Sequence, residues 1–67
     1  MIKTKIDTSG EHLARLLDRL NMHTEDFAII AGVHRATAFR WLANQTPTPI
    51  SVIRMLELMI EKKERAA

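Results

Sequence analysis

Residues 24–44 read TEDFAIIAGVHRATAFRWLAN, and this stretch decides the fold. It opens with a threonine and two acidic residues, which suit the first turn of a helix because its free N–H groups and dipole favour oxygen atoms and negative charge. Gly32 predicts the end of that helix after Ala31, since glycine readily adopts the left-handed conformation that terminates helices. A second helix follows at about 35–44, with His34 as its cap. The stretch therefore predicts two short helices joined by a tight turn.

The second of these helices has an inward and an outward face. At about 100° per residue, Ala38, Trp41 and Leu42 share one face, which we expect to lie in the core. The outward face combines small, aromatic and cationic side chains: Arg35, Ala36, Phe39, Arg40 and Ala43. This helix therefore presents two arginines to its surroundings.

A first helix is predicted ahead of this stretch, from a cap at Thr8 to about Asn21. Thr8 and Glu11 have the spacing of a capping box, in which two side chains satisfy free N–H groups at the helix start. Four leucines then recur on one helix face: Leu13, Leu16, Leu17 and Leu20. The spacing predicts an amphipathic helix packed on the core.

A final helix is predicted over about 49–64. Thr48 suits its N-cap and Pro49 its first position, where a missing N–H costs nothing. Its inward stripe consists of Ile53, Leu56 and Ile60. A second apolar group lies across the helix: Val52, Met55, Leu58 and Met59. Since a monomer seldom exposes so wide an apolar arc, we expect a homodimer that buries this group, with Ile29 as a further candidate.

Composition limits the class of protein. The chain has 67 residues, enough for one domain at 1–67, and its 46% hydrophobic and 27% charged residues are typical of a folded chain. It contains no cysteine, and its three histidines lack a metal-ligand spacing, so we expect neither metal nor cofactor. No apolar run approaches the roughly 20 residues of a membrane span. No phosphate-binding glycine loop or nucleophile–base arrangement is apparent, so we expect no enzyme.

Charge is distributed unevenly along the chain. The net charge is only +2, but the thirty residues from Phe27 to Leu56 contain no Asp or Glu. That segment holds four basic side chains: His34, Arg35, Arg40 and Arg54. A locally basic segment indicates an anionic partner.

Residues 23–41 resemble the helix-turn-helix of Cro-like phage repressors. In that family a bulky apolar residue and an alanine precede the turn glycine by five and four positions, as Phe27 and Ala28 do here. The helix after the turn matches at four further positions: Thr37, Ala38, Arg40 and Trp41. The resemblance covers about residues 11–60. The segment 47–58 is also similar to small phage regulators of the anti-CRISPR-associated kind.

The resemblance implies an all-α, four-helix DNA-binding domain. Its second helix would lie across the DNA backbone and its third would enter the major groove. Base contacts are expected from Arg35, Ala36, Phe39 and Arg40, because arginine donates twice to guanine and alanine allows close approach. Backbone contacts are expected from Thr24, His34 and Thr37 and from the side chains and free N–H groups of Asn44, Gln45 and Thr46.

These features predict a dimeric transcriptional repressor that reads an inverted repeat in its own promoter. We expect it to be encoded by a phage or mobile element, for example as an anti-CRISPR operon autoregulator, and to work at the nucleoid in the cytoplasm. Its partners would be double-stranded DNA and a second copy, with no small-molecule effector. Two alternatives stay open: an antitoxin-like protein-interaction module, and a recombination or packaging accessory that binds DNA.

The first seven residues also leave two alternatives open. Ile2, Thr4 and Ile6 alternate with Lys3 and Lys5, as in a short strand. One strand is not stable alone, so it would pair with the same strand of a second subunit. Otherwise it is a mobile arm whose lysines reach DNA.

Overall fold

Four helices make up the protein in the computed structural model, which describes residues 6–66. They are α1 (Gly10–Arg19), α2 (Thr24–Ala31), α3 (Arg35–Leu42) and α4 (Ile50–Ala66). No strand occurs between residues 6 and 66, so the all-α class is confirmed for that range. The predicted N-terminal strand or arm, with Lys3 and Lys5, lies outside the described residues except for Ile6 and Asp7, which have no regular secondary structure.

All four helices contribute to one core. α1 packs against α3 and α4, while α2 packs against α3. The rings of Phe27 in α2 and Trp41 in α3 lie 6.0 Å apart between centroids, tilted by 57°. Of the residues that helical spacing assigned to inward faces, Leu20 and Leu42 are half-buried and the others are buried. With Phe27 and Ala28, the buried hydrophobic residues are Leu13, Leu16, Leu17, Phe27, Ala28, Ala38, Trp41, Ile53, Leu56 and Ile60. The core thus fixes which face of α3 and of α4 points outward.

Three helices end in the same way, with a left-handed residue just beyond the last turn. These residues are Asn21 (φ 52°), Gly32 (φ 71°) and Asn44 (φ 63°). In each case the next N–H donates to the carbonyl five residues earlier, at 2.9 to 3.0 Å, which closes a Schellman motif. Gly32 confirms the prediction. The two asparagines were not predicted, and Asn44 ends α3 at Leu42, two residues before the expected end.

The predicted caps of α1 and α4 are wrong. Ser9, not Thr8, caps α1, and its Oγ accepts the N–H of His12 at 3.2 Å. The helix therefore begins one residue later than expected, and the Thr8–Glu11 capping box does not form. Thr48 does not cap α4, because its buried hydroxyl finds no hydrogen-bond partner among residues 6–66 and the helix begins at Ile50.

The start of α1 is joined closely to the end of α3. Gly10 is buried, and a Cβ at this position would collide with the carbonyl of Leu42. The side chain of Asn44 accepts the N–H of Gly10 at 2.7 Å and donates to Glu11 Oε1 at 3.2 Å. That second bond holds the pKa of Glu11 below its ordinary value. This junction fixes α3 at its C-terminal end.

Candidate nucleic-acid interface

The outward face of α3 is exposed, as its helical spacing predicts. Arg35, Ala36 and Arg40 are exposed, and half of the Phe39 side-chain surface is accessible. The opposite side of the same helix is anchored by buried Trp41. Since α3 is held by its core face and by the junction at Gly10, its outward side chains project from a rigid support.

The two arginines of this face have different surroundings. Arg35 Nη1 donates to Glu25 Oε2 at 2.7 Å, which links the first turns of α2 and α3. Arg40 forms no ion pair with any residue between 6 and 66. Arg40 is therefore available to an external anion with all its donors, whereas Arg35 shares one with Glu25.

Sequence reasoning missed the pairing of Glu25. It assigned this residue only to the positive end of the α2 dipole. The signal was an acid in the first turn of one helix and an arginine in the first turn of the next. Helical periodicity does not connect them, because the tight turn at 32–34 brings the two helix starts together.

The residues predicted to contact the DNA backbone lie at helix starts and in the loop after α3. Thr24 begins α2 and Thr37 lies in the first turn of α3, and both are half-buried. His34 occupies the N-cap position of α3, exposed and without a side-chain capping bond. Gln45 and Thr46 are exposed in the loop between α3 and α4.

Part of the expectation for this loop is wrong. The N–H groups of Asn44 and Gln45 are not free: they donate to the carbonyls of Trp41 and Arg40 at 3.2 and 2.9 Å. The side chain of Asn44 is occupied as well, since it bonds to α1. The Schellman motif and the junction with α1 use these groups, so Asn44 is a positioning residue for the loop.

A second exposed surface lies on α4. Of the residues predicted to form a dimer interface, Leu58 is 64% exposed, whereas Val52, Met55 and Met59 are half-buried against the core. A shallow, open depression of ≈ 510 Å³ lies between side chains of this one helix, and six residues line it: Ser51, Arg54, Met55, Leu58, Met59 and Lys62. We call it the α4 groove.

Among the large apolar residues of the described range, Ile29 is the most exposed, at 78%. It lies on α2 and lines a groove of ≈ 330 Å³ together with Glu25, His34 and Arg35. Ile29 therefore borders the outward face of α3 and not the α4 groove. A dimer contact through α4 leaves it at the edge of the α3 face.

Within residues 6–66, no three His, Asp or Glu side chains are grouped closely enough to hold a metal ion. No helix in that range is long and apolar enough to cross a bilayer.

Comparisons of the chain with protein-family models, curated proteins and solved structures find no match. The resemblance of residues 23–41 to Cro-like repressors therefore rests on those residues alone. What the protein does must be inferred from its two exposed surfaces, the outward face of α3 and the α4 groove.

Proposed function

We propose that this protein is a dimeric, sequence-specific DNA-binding repressor in which α2 and α3 act as a helix-turn-helix. The observation that carries the proposal is the outward face of α3. It presents Arg40, which has no ionic partner within residues 6–66, beside the small Ala36 and the exposed ring of Phe39. This face lies in the thirty-residue segment that contains no acidic residue. A protruding cationic helix of this kind fits the major groove.

Direct base recognition is assigned to α3. Arg40 would donate two hydrogen bonds to guanine O6 and N7, a contact that gives about 1–3 kcal/mol of discrimination against other bases. Ala36 would allow close approach and touch a thymine methyl group, and Phe39 would pack on the same apolar edge. Arg35 keeps donors for a base or phosphate while Glu25 holds Nη1.

Contacts to the DNA backbone would set the register of α3 in the groove. Thr24, His34 and Thr37 flank the base-reading face, and Gln45 and Thr46 extend from the loop behind it. Such contacts carry no sequence information but release counterions from the duplex. Affinity should therefore fall steeply as salt concentration rises.

Dimerisation follows from the short reach of α3. Its eight residues span about 12 Å, which covers only a few base pairs. Two copies related by a two-fold axis would read an inverted repeat with half-sites about 34 Å apart. Occupancy of such a site in the protein's own promoter would exclude polymerase, and protein concentration would set that occupancy. A phage or mobile-element operon at the nucleoid is the setting we propose.

Selection of bound duplexes from a random pool at near-physiological salt tests this function. We expect an enriched inverted repeat with half-sites one helical turn apart. If well-folded protein enriches no sequence, the proposal is wrong. Repression of a reporter by the recovered site would separate a repressor from a recombination or packaging accessory, which would share the α3 contact.

A protein-interaction module, as in an antitoxin, is the second candidate function. The α4 groove favours it, because Leu58 and the two methionines form an apolar surface able to dock a partner helix. This alternative predicts tight binding to a different protein and only weak, unspecific affinity for DNA.

A further inference from the structure

The α4 groove follows one face of a single helix. Its six lining positions, 51, 54, 55, 58, 59 and 62, have the spacing of one helical stripe, and the stripe is centred between positions 56 and 57. A two-fold axis through this midpoint would set two α4 helices antiparallel, with Met55 of one copy opposite Leu58 of the other.

Charges of both signs lie along one side of the groove. Arg54, Glu57 and Glu61 lie beside Leu58 on the same side of α4, and Glu57 also approaches His12 Nε2 at 3.8 Å. With a rise of about 1.5 Å per residue, Arg54 lies about 3.8 Å before the midpoint and Glu61 about 6.8 Å beyond it. Reversing the second helix brings Arg54 of one copy to within about 3 Å of the partner's Glu61 along the helix axis. Because of the two-fold symmetry, this contact occurs twice in the dimer.

The available charges favour this arrangement over a parallel one. Arg54 has no ionic partner within residues 6–66. Glu61 forms an ion pair with exposed Arg65 one turn along α4, at 3.2 Å through Oε1, and its Oε2 accepts no hydrogen bond from residues 6–66. A parallel pair would place the charged side of one α4 against the Met55 and Met59 side of the other. Both charges would then lose water without gaining a partner.

We propose that the occupant of the α4 groove is a second copy of this chain, bound antiparallel, with Arg54 of each copy paired to the partner's Glu61. Met55 and Leu58 form the apolar centre, and Ser51 leaves room for the long side chain of Lys62. The inference rests on the dimer of the proposed function and specifies its geometry. It does not require that the dimer bind DNA.

Charge reversal tests the ion pair by sedimentation equilibrium of the full chain without DNA. Arg54→Glu should raise the dimer dissociation constant by about tenfold or more, because two attractions of an exposed pair become two repulsions. Adding Glu61→Arg to that variant should restore the dissociation constant to within about threefold of wild type. Arg15→Glu, a reversal on the exposed face of α1, should leave it unchanged.

Several outcomes would overturn the pairing. A wild-type chain that stays monomeric at high concentration, or an Arg54→Glu variant that behaves like Arg15→Glu, would contradict it. So would a double variant as weak as Arg54→Glu alone. Failure of the DNA selection with the dimer intact would overturn only the repressor. A monomer that enriches a DNA sequence would overturn this dimer and the dimeric form of the repressor, but not the DNA contact of α3.

Cysteine cross-linking tests the orientation independently, because the chain contains no natural cysteine. Leu58→Cys lies near the two-fold axis and should form a disulfide between copies. Lys62→Cys should not, since its two copies lie about 16 Å apart along an antiparallel pair, but should cross-link to Ser51→Cys in a mixture. Self-cross-linking of Lys62→Cys would indicate parallel helices and contradict the proposal.

Discussion

The outward faces of α3 and α4 each carry an arginine without an ionic partner in the described chain, yet they differ in what surrounds it. Arg40 lies among small and aromatic side chains in a segment without acids. Arg54 borders an apolar groove and shares its side of α4 with Glu61. The α3 face has an acid only at its edge, where Glu25 pairs with Arg35, and such a face fits a polyanion. A face with both signs in antiparallel register fits its own copy. Neighbouring residues, more than the arginine itself, distinguish the two surfaces.

Removal of Arg40 should have the largest effect, and it tests whether the exposed face of α3 binds DNA. Arg40→Ala should weaken binding to the selected inverted repeat by about 2–6 kcal/mol, since a dimer loses two base contacts. The fold and the dimer should be unchanged, because Arg40 is exposed and lies away from the α4 groove. Fluorescence anisotropy titrations would measure the loss. Arg15→Ala is the matched control, and equal affinity of the two variants would contradict the assignment of α3.

Gly10→Ala tests whether the face of α3 depends on its junction with α1. The added Cβ would collide with the Leu42 carbonyl, so α1 and α3 must separate at a cost of about 1–3 kcal/mol of unfolding free energy. Urea denaturation would measure this cost. Ala14 is exposed on the same helix, so Ala14→Ser serves as a control that should cost much less. A Gly10→Ala variant as stable as the wild type would show that the junction is loose in solution.

Substitution of Leu58 and Ile29, the two most exposed large apolar residues between positions 6 and 66, tests which apolar surface forms the dimer. Leu58→Ser should weaken self-association by about tenfold, because Leu58 is the exposed centre of the α4 groove. Ile29→Ser should leave self-association unchanged, since Ile29 borders the α3 face. Sedimentation of both variants decides the matter. If Ile29→Ser is the weaker dimer, the interface involves α2 and not α4.

Removal of the acid beside Arg35 should have the smallest effect. Glu25→Gln takes a negative charge from the edge of the α3 face and releases Arg35. We expect DNA affinity to rise by about two- to fivefold at low salt, with the gain shrinking as salt screens the charges. Anisotropy titrations at several salt concentrations would measure it. Weaker binding by Glu25→Gln would mean that Glu25 orients Arg35 for DNA and does not compete with it.

Most of the helical architecture is predictable from local spacing. The inward faces follow from helical periodicity, so the burial of Trp41, the leucines of α1 and the stripe of α4 all agree with prediction. The left-handed end of α2 follows from Gly32. The position of the α1 N-cap at Ser9 could not be predicted, because Thr8 and Ser9 are adjacent and either side chain suits an N-cap.

The features that sequence missed depend on contacts between distant segments. In the sequence, Asn44 is a polar loop residue like its neighbours. In the structure, both the oxygen and the nitrogen of its side-chain amide form hydrogen bonds with α1. Glu25 and Arg35 lie ten positions apart, and only the turn between their helices pairs them. The outward residues of α3 were predictable individually, but the difference between Arg35 and Arg40 was not, since it arises from a neighbour on another helix.

Amide chemical shifts of labelled protein, followed during titration with the selected duplex, test the two surfaces most directly. At a protein concentration at which the chain is already dimeric, we expect DNA to perturb α3 and residues 45–46 and to leave the signals of Met55, Leu58 and Met59 unchanged. Dilution without DNA should change those three signals. DNA-induced changes centred on α4, with α3 unaffected, would contradict the assignment of the two surfaces.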